Sequence, residues 1–357
     1  MASLIVVNGI KPSVGYAPIA HLAKLMTRLL EGEQTRILPS RHKVLRSLHR
    51  VCRRVSIPHR HGNGTIVLTP WMGAVEYACT TVNVARAPRP RALWIIDSFW
   101  TEDLARKAPM IRQHFDFVGF MQAYDSDVYR RHFGESALYL PWGTDALHFP
   151  MAGPNRHHDL LRVGRQPQAW DDDATTSALC ADAGLRFQGR MAFDGLEPQA
   201  QYARLKSEGY AQATHVLAHS NLCDATRYTH PEKDYITARW ADALGGGAVV
   251  AGRPPEQDLG LIGWPEALLR IPHDDAYAGI DLIREARASW TPEVARRNRQ
   301  GALQRLDWRW RIRDLAAAMG LRAPRLDVEL AALAEAISQR GPSSARAAAP
   351  DVLPGAG

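Results

Sequence analysis

At 357 residues the chain is longer than one hydrophobic core ordinarily organises, so two domains of common size are expected. Its 46% apolar and 23% charged content is that of a globular protein and excludes a disordered chain. The net charge of +7 is local: from Gln34 to Val75 there is no Asp or Glu, while Arg36, Arg41, Lys43, Arg46, Arg50, Arg53, Arg54 and Arg60 all fall there, which leaves the remainder close to neutral.

The amino terminus carries only the four-residue apolar run Leu4-Ile5-Val6-Val7, too short for a secretory leader, and no uninterrupted apolar run is long enough to span a bilayer. The four cysteines, Cys52, Cys79, Cys180 and Cys223, are scattered and form no CxxC pair. A reducing, cytoplasmic setting is expected, with no thiolate metal site.

Residues 4–8 read as a first buried strand. A loop with Lys11, Ser13 and Gly15 follows, then a helix from about Pro18 to Leu30. The loop is not GxGxxG and implies no dinucleotide. Val44, Leu45, Leu48, Val51, Cys52 and Val55 recur at helical spacing among the arginines, which predicts a basic amphipathic helix. Two readings stand: an anionic membrane face met by Arg46, Arg50, Arg53 and Arg54, or a core-packed helix with a solvated basic side. No aromatic residue is interleaved with these charges, which argues against nucleic acid.

Strands are then expected at 65–70, 91–97, 117–121 and 137–141, with a short polar helix after the third. The stretch AGPNRHHD (152–159) is a candidate linker. Beyond it the alternation restarts: strands at 160–165, 185–189 and 215–220, helices at 175–183 and 198–208. Asp171, Asp172 and Asp173 read as a solvated loop. Two doubly wound parallel α/β sheets, Rossmann-like, should face each other across a ligand cleft. The expected division is 1–152 and 153–300, with helices over 301–340 and a disordered tail at 341–357. Trp308 and Trp310 should pack between domains while the neighbouring arginines stay wet.

The most informative stretch is His230 to Gly252, HPEKDYITARWADALGGGAVVAG. A helix is expected from Tyr235 to Leu244, capped by Asp234, ended by Gly245 to Gly247 and followed by a buried strand.

The segment 239–251 resembles the donor-site signature of group 1, family 4-like glycosyltransferases with the GT-B fold, in the branch that reads Arg-x-x-acid-Ala-Leu-x-x-Gly-Ala. SALYLPWGTD (136–145) with His148-Phe149, LRVGR (161–165), and Asp307-Trp308 with Arg311 or Arg313 are similar to three further family segments in the family's order. The resemblance covers about residues 90–320. It implies a retaining, metal-independent transfer from a nucleotide-sugar donor to a glycan or lipid-linked acceptor, with no resident cofactor, in surface polysaccharide or glycolipid synthesis. On the donor side it implies Arg165 and Arg227 at the diphosphate, Asp242 at the ribose, and Arg239 and Gly247 within the signature. Asp234, with Glu232 as its rival, stands at the acid associated with the transferred sugar. Both family acids are here Asp rather than Glu. Asp97 is the carboxylate at a strand end where the family carries a His-containing motif. Gly15, Trp142, Gly143 and Asp145 fall on the acceptor side of the cleft. The competing expectation is a non-catalytic protein that keeps the cleft and uses its basic helix for membrane or nucleic acid.

Overall fold

The computed structural model describes residues 4–8, 13–37, 62–81, 87–193, 195–224, 226 and 229–339. In the first half, β1 (Leu4–Asn8), β2 (Glu33–Ile37), β3 (Thr65–Trp71), β4 (Arg91–Asp97), β5 (Phe117–Phe120) and β6 (Ala137–Tyr139) form one sheet. Its order is β2-β1-β3-β4-β5-β6 and every pair is parallel. β3 and β4 are buried along almost their whole length, as strands covered on both faces must be. One covering helix is α1 (Ala17–Leu29), which buries Ile19, Leu22, Ala23, Met26 and Leu29 and turns Lys24 and Arg28 outward. The others are α2 (Met72–Thr81), α3 (Leu104–His114) and α4 (Ser126–Phe133).

The second half repeats the plan. β7 (His158–Arg162), β8 (Phe187–Gln188), β9 (Ala213–Leu217), β10 (Val249–Ala251) and β11 (Leu268–Leu269) pair in parallel in the order β11-β10-β9-β7-β8. Its helices are α5 (Asp173–Asp182), α6 (Pro198–Arg204), α7 (Ala238–Gly245), α8 (Leu259–Ile262) and α9 (Ala276–Ser289). The expected linker is only partly one. Arg156 is buried and donates to the carbonyls of Ala211 and Gly246, and β7 begins at His158, so its end already belongs to the second sheet.

The chain then crosses back. α10 (Pro292–Arg305) and α11 (Trp308–Ala318) are separated at Asp307, whose carboxylate caps α11 by accepting from the Arg309 amide at 2.8 Å. The Thr144 amide donates to Leu306 O (2.8 Å) and the Trp308 amide to Thr144 O (3.0 Å), a two-bond stitch between the halves. Trp308 packs on Trp94 and Trp142, with ring centroids 6.1 and 6.0 Å away; both belong to the first half, so it docks the C-terminal helix on the first sheet. Arg313 stays wet as expected, but two of the arginines do not. Arg309 is fully buried among Asp145, Asp307 and Glu329, and Arg311 donates to the carbonyls of Pro141 and Trp142. The crossing encloses them: Glu329 comes from the last helix, α12 (Pro324–Ser338), which also pairs with Arg28 of α1.

Two further expectations are corrected. α7 starts at Ala238, not Tyr235, and its N-cap is Thr237 in extended geometry (φ −122°, ψ 176°) with no side-chain capping bond. Asp234 is four residues ahead of the helix and accepts instead from the Glu256 amide (3.1 Å) and from Ser220 Oγ (3.4 Å). The left-handed residue that turns the chain into β10 is Gly247 (φ +81°), where a side chain would meet Ala295 O at 2.8 Å. Of the three consecutive aspartates, Asp171 and Asp172 are exposed as a solvated loop should be, yet all three are engaged. Asp171 pairs with Arg162 and Arg190, Asp173 with Arg162, and Asp172 caps α5.

Among the described residues no helix is long and apolar enough to cross a membrane. The segment expected to form a basic helix, with Arg46, Arg50, Arg53 and Arg54, and the expected tail at 341–357 lie outside the described residues.

Candidate active site in the interdomain cleft

A doubly wound sheet opens a crevice where its strand order reverses. In the first sheet that point is between β1 and β3, and in the second between β7 and β9. The loops leaving these strands meet. They line a cleft of about 370 Å³, with Ser13, Gly15, Tyr16, Asp97 and Trp142 on the first half. Arg165, His219, Asn221, Thr229, Tyr235 and the first turn of α7, Thr237 to Trp240, close it from the second. The volume suits a small organic ligand.

The second half supplies positive charge. Arg165 follows β7, pairs with Asp224 (2.7 Å) and donates to Thr226 Oγ1 (2.8 Å), which fixes its guanidinium at the cleft wall. Arg239, in the first turn of α7, donates to the carbonyls of Val163 (3.2 Å) and Arg165 (2.6 Å) and so holds that loop. Beside both lies the amino terminus of α7, whose amides favour an anion. Together they make the second-half wall of the cleft positively charged.

Asp97, at the carboxyl end of β4, is the one carboxylate among the described residues lining the cleft. Burial pushes its carboxyl up to about 7. It therefore changes charge near neutrality, in a cleft that otherwise offers cations and neutral donors.

The remaining cleft residues carry no helical or strand periodicity. His219, Asn221, Thr229, Tyr235 and Thr237 sit in loops or at a helix entry, so residue spacing could not reveal them. One signal was available: His219 and Asn221 follow β9 at its carboxyl end, the edge from which such sheets bind. Nδ1 of His219 accepts from the Arg253 amide at 3.0 Å, and burial lowers its imidazole to about 3. The ring is thus neutral with its proton on Nε2, which has no partner among the described residues.

The cleft brings together Arg165, Arg239, Asp97, Gly15 and Trp142 from the expected set. It does not include the others. Asp242 is 1% exposed and accepts from Thr144 Oγ1 (2.7 Å) and from the Tyr202 hydroxyl (3.0 Å to each oxygen), so it ties the halves together beneath the cleft. A position in the second turn of α7, facing inward, directs it there rather than to a ribose. Asp234 is buried below the loop that precedes α7, whereas Glu232 is exposed. Gly247 packs on Ala295, and Gly143 on Leu306 and Trp308, where a methyl would lie 2.4 Å from the Leu306 carbonyl. Asp145 faces His21, His148 and Arg309, whose contacts hold it ionised against its burial. Arg227 lies outside the described residues. No His, Cys, Asp and Glu grouping fit to hold a metal ion occurs among the described residues.

Two Rossmann-like sheets facing across such a cleft define the GT-B architecture. No family model and no curated protein matches the sequence. Solved structures do. Alr3699/HepE of Anabaena, crystallised with UDP and glucose, is 11% identical over 90% of this chain and 100% of its own, with a TM-score of 0.57. A glycosyltransferase from Rickettsia africae is 10% identical over 95% and 99%, with a TM-score of 0.53. Sucrose-phosphate synthase from Thermosynechococcus elongatus is 12% identical over 93% and 100%, with a TM-score of 0.52. The chain shares the fold of these enzymes along nearly all of its length.

Proposed function

We propose that the protein is a glycosyltransferase that moves a sugar from a nucleoside-diphosphate donor to a hydroxyl of a glycan or lipid-linked acceptor. The observation that carries this reading is the pairing, across one cleft, of a two-arginine phosphate cradle at the start of α7 with a carboxylate near neutrality at Asp97. The crystallised likeness to a UDP- and glucose-bound enzyme supports it. In the transfer, the anomeric C–O bond to the diphosphate breaks and the nucleoside diphosphate leaves with the electron pair. Arg165, Arg239 and the helix amides stabilise the charge that develops on it. The acceptor oxygen forms the new bond to the anomeric carbon. Retention, which the family resemblance implies, brings that hydroxyl in beside the departing phosphate oxygen, which takes its proton. Ionised Asp97 then orients the hydroxyl and offsets positive charge at the anomeric centre. Proton NMR of the product formed from a nucleotide-sugar panel and a glycan acceptor mixture tests the proposal. Transfer with the donor's anomeric configuration is expected; inversion would contradict the retaining step, and absence of any turnover the transferase reading.

A further inference from the structure

A second concavity lies beside the cleft, on the first half. Trp71 closes β3 and is 42% exposed, the last residue of an otherwise buried strand. Its ladder partner on β4 is Asp97. Paired residues of parallel strands leave the same face of the sheet, so Trp71 stands next to the cleft carboxylate. The Trp71 ring lies across Gly73 at the start of α2: a methyl there would come within 2.5 Å of Trp71 Nε1. Trp100, just beyond β4, forms the other side. A groove of about 340 Å³ runs between them, completed by Met72, Glu102 and Asp103. The Glu102 and Asp103 side chains are 60% and 53% exposed, so each keeps lone pairs open to a ligand beyond its pairing, Glu102 with His230 and Asp103 with Arg106 and Lys107.

We propose that this groove is a saccharide subsite that holds the sugar acceptor for the transfer; the assignment rests on the glycosyltransferase reading above. Indole faces cover the apolar C–H face of a pyranose, and carboxylates accept from its equatorial hydroxyls. The volume takes about one or two sugar rings. The acidic pair repels a diphosphate, so the groove is no second donor site. Placement beside Asp97 puts a bound sugar's hydroxyl next to the reacting centre. From the second half, His230 lies 5.0 Å from the Trp100 ring and meets Glu102 Oε1 at 2.8 Å, and so braces two of the groove's lining residues.

Saturation-transfer NMR on the full chain, with neutral methyl glycosides and disaccharides at about 10 mM, tests this; mM affinity corresponds to only about 4 kcal/mol. At least one saccharide should show transfer that falls about tenfold in Trp71→Ala and less in Trp71→Phe. Gly73→Ala, which displaces the ring without removing it, should weaken the signal too. Nucleotide-sugar affinity, measured in parallel by calorimetry, should be unchanged in all three. Normal donor binding with no saccharide signal, or with a signal indifferent to Trp71→Ala, overturns the subsite and leaves the transferase reading standing. Transfer to a diamine but to no saccharide also overturns it and assigns the groove to a cation. Absence of donor binding in the unaltered protein instead removes the reading on which the subsite rests.

Discussion

Asp97 and Asp242 are both aspartates whose carboxyls burial raises, yet their surroundings give them different work. Asp242 accepts from two hydroxyls, those of Thr144 and Tyr202, and its burial still holds the carboxyl up, at about 6. Asp97 accepts none from any described side chain, faces the cleft, and is raised to about 7 by burial alone. A raised carboxyl pKa in the folded state means that the native protein retains a proton that the unfolded chain has lost. Asp97 therefore contributes stability below the unfolded value near 4 that is lost as pH rises through about 7. Catalysis needs the opposite form. The kcat/KM profile should rise across an apparent pKa near 7, and Asp97→Asn should lower activity by about two orders of magnitude and remove that limb. An unchanged rising limb in the Asn variant would assign the ionisation to another group.

At the scale of elements, the segment before α7 does more than lead into a helix. Lys233 reaches from the second half to Phe99 O (2.9 Å), Thr101 Oγ1 (2.7 Å) and Asp125 Oδ1 (3.0 Å) on the first. Tyr235 stacks on Phe99 with ring centroids 4.1 Å apart. These contacts explain why the helix begins late: the side chains of His230, Lys233 and Tyr235 are committed to the opposite domain and Asp234 to Ser220 and Glu256 of its own, and this tertiary docking overrides the local capping preference of Asp234. Lys233→Met should remove the cation that faces buried Asp125. We expect about 2–3 kcal/mol lower stability in denaturant melts and faster amide exchange over 99–101. Exchange equal to that of the unaltered protein would show that the contact does not hold the halves. The strands and α1 were legible because long apolar runs and a 3.6-residue stripe leave little choice. β2, with the sequence EQTRI, was not: it is an edge strand, polar and short of apolar residues. α2 was missed because Gly73, Ala74, Ala78 and Cys79 are small and give no strong stripe. Of the cleft, Arg165, Arg239 and Asp97 could be found because they follow strands or open a helix. Which of several buried acids turns toward the cleft depends on tertiary contact, and the spacing of Asp234 and Asp242 carries no such information.

For the whole molecule, the two sheets are joined by more than a linker. The stitch at Thr144, Trp308 between Trp94 and Trp142, and the buried Arg309 network hold the C-terminal helices on the first sheet. Asp242 adds a polar tie under the cleft, joining Thr144 of the first half to Tyr202 of the second. This frame sets Arg165 and Arg239 opposite Asp97 and leaves the groove at Trp71 beside it. We infer that Arg165, Arg239 and the α7 amides bind the diphosphate of a nucleotide sugar. Calorimetric titration of the full chain with UDP-, GDP- and ADP-sugars tests it most directly. We predict that one donor binds at about micromolar to millimolar Kd. Arg165→Ala and Arg239→Ala should each weaken it about tenfold or more, since a charge-assisted contact contributes about 1.5–3 kcal/mol. Asp242→Asn, remote from the ligand, should leave the affinity within about twofold. No binding by any donor, or binding that is lost in Asp242→Asn and indifferent to both arginines, would contradict the account.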